Sequence, residues 1–161
     1  MGLCRTEHMF FSSAQRIATV RRMIAAEQLN VPKMKIAALA ELKAFQRSDF
    51  EGIFTAMDGM PVTIRLLDPP LHEFLPKAGP ALDALCESLA AEYVETPDLI
   101  TPHMLKGKIE ALHEANPMMG FRGCRLGIVH PDITHMQVRL LFLYFWRMRV
   151  EGGVGMVYLC D

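Results

Sequence analysis

Three arginines carry the chemistry this chain could do. Arg5 stands in LCRTE, Arg65 in TIRLLD and Arg122 in GFRGC. Arg5 and Arg65 each follow a short apolar stretch with strand character, and each is soon followed by an acid, Glu7 and Asp68. Arg122 lies in a glycine-flanked segment, with Arg125 three residues on. A guanidinium is a planar fork donating two parallel hydrogen bonds, a geometry suited to phosphate and carboxylate. In a parallel α/β sheet or barrel the C-terminal ends of the strands gather on one face, and ligands bind there. Arginines at those ends would converge, and three of them imply a small, highly anionic ligand such as a phosphorylated carboxylic acid. Taken singly, each arginine could instead pair with the carboxylate beside it; only together do they point to an anion.

Other chemistries find less support. The four cysteines, Cys4, Cys86, Cys124 and Cys160, share no close spacing, so neither a CxxC zinc site nor a disulfide framework is expected, and the thiols read as reduced. Histidines at 8, 72, 103, 113, 130 and 135 form no HExxH or other close ligand pair, so no metal site is assigned. His72-Glu73 reads as a surface loop. No GxGxxG or GxxxxGK[ST] phosphate loop is present, and no serine–histidine–acid arrangement is recognisable. With 17 basic and 18 acidic residues in 161, the formal charge is -1, so no global field attracts nucleic acid or an anionic membrane. Hydrophobic residues make up 51% of the chain, as in a globular domain, and the twelve methionines read as packing. The N-terminus has no signal-peptide pattern, and the C-terminus has no Ser-Lys-Leu address.

The arginines need elements to hold them. Residues 13 to 29 place Ile17, Val20 and Ile24 at helical spacing, flanked by Arg16, Arg21 and Arg22. Pro32 suits the first position of a helix over 33 to 46. Ser48 and Glu51 read as a capping box that opens a separate helix, with Phe50, Ile53, Phe54 and Met57 as its apolar face. Gly59 suits a left-handed C-terminal position, and Pro61 blocks continuation. In PVTIRLLDPP, Val62, Ile64 and Leu66 point one way and Thr63, Arg65 and Leu67 the other, until Asp68-Pro69-Pro70 ends the strand. A helix over 80 to 94 faces inward through Leu82, Leu85, Leu89 and Tyr93. Thr101 and Pro102 start a helix to about Leu112, and a glycine-containing loop then leads to a last helical stretch from about Pro131. This order of strands and helices predicts an α/β fold with parallel strands, part of something larger. The apolar run LLFLYFW, residues 140 to 146, is too short to span a membrane; it reads either as a buried helix followed by a strand or as an exposed surface with poor solubility.

Three stretches, GLCRTEHMFF, FQRSDFEGIFTAMDGMPVTIRLLDPPLHEFLP and LHEANPMMGFRGCRLGI, closely resemble the pyruvate, phosphate dikinase family, from Gly2 to about Arg139. The related phosphoenolpyruvate synthases and Enzyme I of the sugar phosphotransferase system share the RTE and NP-x-x-G-x-R patterns but look less similar around RLLDPPLHEFLP. The resemblance implies the first βα units of a (β/α)8 TIM barrel that binds phosphoenolpyruvate and pyruvate, here residues 1–139, followed by a divergent apolar tail, 140–161. It implies the reaction of ATP, pyruvate and phosphate to AMP, phosphoenolpyruvate and diphosphate, with a phosphohistidine domain carrying the phosphoryl group. Arg5, Arg65 and Arg122 match the family arginines that grip the substrate's phosphoryl group and carboxylate, a catalytic and substrate-binding role. The family's Mg²⁺ ligands and catalytic cysteine belong to later barrel segments absent here. The implied protein is thus a phosphotransferase fragment, inactive alone, or a non-catalytic decoy. The resemblance also implies a homodimer or association with a full-length dikinase, in the cytoplasm, a plastid or a glycosome.

Overall fold

The computed structural model describes residues 1–92, 101–113, 116, 118–150 and 157–160, with the side chains of 147–150 and 160 outside that description. The described residues are mostly helical, around a three-stranded parallel sheet. Its strands are β1 (Cys4–Arg5), β2 (Val62–Arg65) and β3 (Val157–Cys160), hydrogen-bonded in that order. Helices α1 (Glu7–Phe11), α2 (Ala14–Gln28) and α3 (Pro32–Ala56) connect β1 to β2. A 3₁₀ turn (Leu71–Phe74) and helices α4 (Pro80–Glu92), α5 (Pro102–Glu110), α6 (Gly123–Val129) and α7 (Pro131–Val150) lie between β2 and β3. The α/β character expected from the sequence is present, and the sheet gains a third strand from the tail.

The sheet is short because the chain after β2 cannot continue the ladder. Prolines 69 and 70 have no N–H to donate, and Leu67 N–H is already bound to a side chain of α7, at 2.9 Å. The expected alternation therefore stops at Arg65, and it is Leu67, not Leu66, that ends up buried.

The expected break before Ser48 does not occur. The helix starting at Pro32 runs 25 residues, to Ala56. Ala38, Leu42, Gln46, Phe50 and Phe54 form an unbroken buried stripe, four residues apart, and no proline interrupts it. Ser48 is an exposed mid-helix residue. The other end signals hold: Pro32 occupies the first turn, Thr101 caps α5 by accepting from Met104 N–H at 3.2 Å, and Gly59 takes φ 73°. Tyr93, assigned to the face of α4, lies outside the described residues. The glycine-containing loop is shorter than expected, because α6 begins at Gly123.

The core collects Val20, Met23 and Ile24 of α2, the stripe of α3, Val62 and Ile64 of β2, and Leu140, Leu141 and Tyr144 of α7. Phe74 of the 3₁₀ turn stacks on Phe11 at 4.9 Å between ring centres and meets Phe10 edge-on at 6.2 Å, so the segment after β2 is packed against α1. The apolar run after Arg139 fits both sequence readings. Helix α7 passes through Arg139 without interruption and leads to β3, yet Phe142, Leu143 and Trp146 are 68%, 62% and 67% exposed.

Candidate functional site

Arg5 and Arg65 end adjacent parallel strands and are direct register partners. Side chains opposite one another on neighbouring strands lie on the same face. Thr6 N–H continues the contact by donating to Arg65 C=O at 3.4 Å. Arg122 arrives from the far side of the sequence, in extended conformation at the N-cap of α6. It is held by a turn that needs Gly123 at φ 54°, a conformation any other residue adopts with strain. Gly123 N–H donates to Asp68 C=O at 3.2 Å, which ties this turn to the end of β2.

Asp68 is where two of the arginines, Arg65 and Arg122, meet. Its carboxylate takes a two-pronged contact from Arg122, Nε–H to Oδ1 at 3.1 Å and Nη2–H to Oδ2, and an ion pair from Arg65 Nη1 at 3.0 Å. Arg65 Nη2 also donates to Glu7 Oε1. The Arg122 hydrogen bond, offset in part by burial and reinforced by the charges of Arg65, Arg122 and Arg5, holds the Asp68 carboxyl below the usual carboxylate range. The same contact holds the Arg122 guanidinium more firmly protonated. Arg5 is exposed, and among the described residues its guanidinium makes no hydrogen bond or ion pair. Arg65 and Arg122 pair with acids and share Asp68, and Arg5 stands beside them as the register partner of Arg65.

Pairing leaves capacity unused. Arg65 Nε and Glu7 Oε2 are buried, with no hydrogen-bond partner among the described residues. Orphaned buried groups of this kind are rare in folded proteins. Here the donor and the acceptor belong to an ion pair, Arg65 with Glu7.

The sequence matches known proteins. Residues 1–151 match the family model described as PEP-utilising enzyme, PEP-binding domain. The chain belongs to the PEP-utilising enzyme family. Within it, the chain is 57% identical over 152 residues to the chloroplastic pyruvate, phosphate dikinase of Flaveria pringlei. It is 56% identical over 152 residues to pyruvate, phosphate dikinase 1 of Arabidopsis thaliana, a chloroplastic protein by name. To pyruvate, phosphate dikinase 2 of Zea mays it is 51% identical over 144 residues. The matches cover 94%, 94% and 88% of this chain but only 15% of each relative.

The remaining titratable groups do not join this site. Burial, reinforced by Glu7 and Asp49, pushes the Cys4 thiol up, opposite to what a nucleophilic cysteine needs. Burial raises Cys86 likewise. The His72 and His113 rings lie 5.3 Å apart, and His130 Nδ1 is 3.1 Å from Glu27 Oε1. Among the described residues no three His, Cys, Asp or Glu side chains gather as a metal site. No helix of the described residues is long and apolar enough to cross a membrane. Sequence reasoning missed Thr6 and Gln137, which bind one another beneath the arginines, Gln137 Nε2–H donating to Thr6 Oγ1 at 3.2 Å. The signal available was a glutamine on the apolar face of α7, between Ile133 and Leu140.

Proposed function

We propose that this chain supplies the arginine half of a phosphoenolpyruvate/pyruvate site in a pyruvate, phosphate dikinase, within the first βα units of a (β/α)8 barrel. The observation that carries the proposal is one carboxylate, Asp68, bound by guanidiniums from β2 and the start of α6, with Arg5 of β1 in direct register with Arg65. Arg65 is fixed from two sides by Glu7 and Asp68, so its guanidinium is preorganised. Arg5, exposed and in register with Arg65, adds a second fork. Arg122 bounds the other side. Charge developing on the equatorial oxygens of a transferring phosphoryl group would be met by these fixed cations, and positioning with electrostatics is most of such catalysis. The substrate carboxylate would take the remaining donors.

The ATP half-reaction and the phosphohistidine belong to the parts of a dikinase outside this stretch. Magnesium, in the same reading, is held by acids beyond the described residues, since Glu7 and Asp68 are committed to guanidiniums. The chain is inactive by itself. A second reading, a decoy that pairs with another copy or with a full-length dikinase, is favoured by the exposed Phe142, Leu143 and Trp146. It extends the expectation that residues from 140 onward form a divergent tail. The cytoplasm, or a plastid as the names of the relatives indicate, is the proposed compartment.

The test places residues 1–151 in a full-length dikinase in exchange for its own matching stretch. Arg65→Ala in that enzyme should slow phosphoenolpyruvate formation from pyruvate by at least about a hundredfold. The ATP half-reaction should continue. Loss of both half-reactions together would assign Arg65 to the fold and not to the substrate. Arg5→Lys should slow the same half-reaction, because lysine cannot make the two-pronged contact.

A further inference from the structure

We infer that Gln137 is a positioning residue for the arginine cluster: its side-chain amide fixes the spacing between the ends of β1 and β2 and so aims Arg5 and Arg65 at one anion. This rests on the reading of the arginines proposed above. Gln137 is 1% exposed, on a face of α7 whose other members, Ile133, Met136, Leu140, Leu141 and Tyr144, are apolar or aromatic. A buried amide without partners would cost stability there. Both ends of this one are used. Oε1 accepts from Leu67 N–H at 2.9 Å, and Nε2–H donates to Thr6 Oγ1 at 3.2 Å.

Both partners adjoin the site. Thr6 follows Arg5, and Leu67 lies between Arg65 and Asp68. Thr6 is fully buried and stands at the N-cap of α1, where a threonine hydroxyl ordinarily accepts from the first turn of the helix. It makes no such bond, and its oxygen takes the Gln137 amide instead. Thr6 N–H in turn reaches Arg65 C=O at 3.4 Å. The contacts close a ring: the residue after Arg5, Arg65 itself, the residue before Asp68, and Gln137. The ladder between β1 and β2 ends at Arg5 and Arg65, so beyond that point this ring carries the register. Gln137 makes no hydrogen bond to an arginine among the described residues; it acts through the backbone on either side of them.

The test uses the full 161-residue chain and phosphoenolpyruvate as the probe, with binding followed through the arginine Nε–H signals in NMR spectra. Gln137→Met keeps length and volume and removes both hydrogen bonds. It should weaken Kd by about tenfold, the size of one lost hydrogen bond. Thr6→Val should do the same, and Thr6→Ser should bind as the native chain does. Leu105→Ala, in the buried core of α5, is the control for stability alone: it should lower Tm and leave Kd within about twofold, as expected of a distant, independent site. Native-like Kd in Gln137→Met and Thr6→Val would overturn the positioning role while leaving the arginine site standing. Equal weakening in Leu105→Ala would reduce Gln137 to a general stabiliser. No saturable binding by the native chain would overturn the arginine site, and the positioning role with it. If Gln137→Met fails to fold, the contrast between Thr6→Val and Thr6→Ser carries the decision.

Discussion

Asp68 does for the arginines what a bound anion would do: it offers negative charge to Arg122 and Arg65 within hydrogen-bonding distance, with Arg5 nearby. Its carboxyl is lowered chiefly by the Arg122 hydrogen bond. A carboxyl depressed on folding contributes stability that is fully present above the unfolded value, near 3.9, and is lost as pH falls through the folded value. Asp68→Asn should therefore unfold at lower urea than the native chain at pH 7, with the gap closing below about pH 4. A gap that stays constant over the acid range would mean that the charge of Asp68 contributes nothing. At this scale the sequence was informative where chemistry depends on residue type. Three arginines and two acids stand out by their neighbours in the chain. Gln137 did not, because its meaning comes from Thr6 and Leu67, which lie 131 and 70 residues away in sequence.

Elements were legible where a local stop signal had no competitor. Thr101 caps α5 and Gly59 turns the chain, and nothing distant contests either. Ser48 and Glu51 carry the same kind of local signal and lose. The stripe from Ala38 to Phe54 buries more apolar surface as one helix than two shorter helices could, and tertiary packing overrides the cap. The two sites should answer oppositely to the same substitution. Thr101→Ala should cost about 1 kcal/mol of stability, the loss of a working cap. Ser48→Ala should leave stability unchanged or raise it by a few tenths of a kcal/mol, because alanine is the better mid-helix residue. Urea midpoints measure both, and a loss at Ser48 as large as that at Thr101 would contradict the continuous helix. Strand β3 was legible only as one of two alternatives, since nothing in VYLC says which strand it will pair with; its register on β2, from Val62 against Val157 to Arg65 against Cys160, is set by the sheet.

The whole molecule spans about 15% of the length of the dikinases it matches, and it exposes Phe142, Leu143 and Trp146 of α7. Apolar side chains grouped on one helix face drive association. Light scattering should find the native chain self-associating with concentration, and Phe142→Glu with Trp146→Lys should reduce it; identical behaviour of the two proteins would remove that face as the cause. The three arginines were readable from three motifs, since residues 2–11, 45–76 and 112–128 each carry one of them, whereas the meeting of Arg65 and Arg122 at Asp68, beside Arg5, required the fold. That meeting is the central claim, and arginine side-chain NMR during a phosphoenolpyruvate titration tests it most directly. The account predicts saturable shifts with one common Kd at the Nε–H signals of Arg5, Arg65 and Arg122, while Arg22, paired with Glu41, stays unmoved. Shifts spread evenly over all four arginines, or absent from the first three, would contradict it.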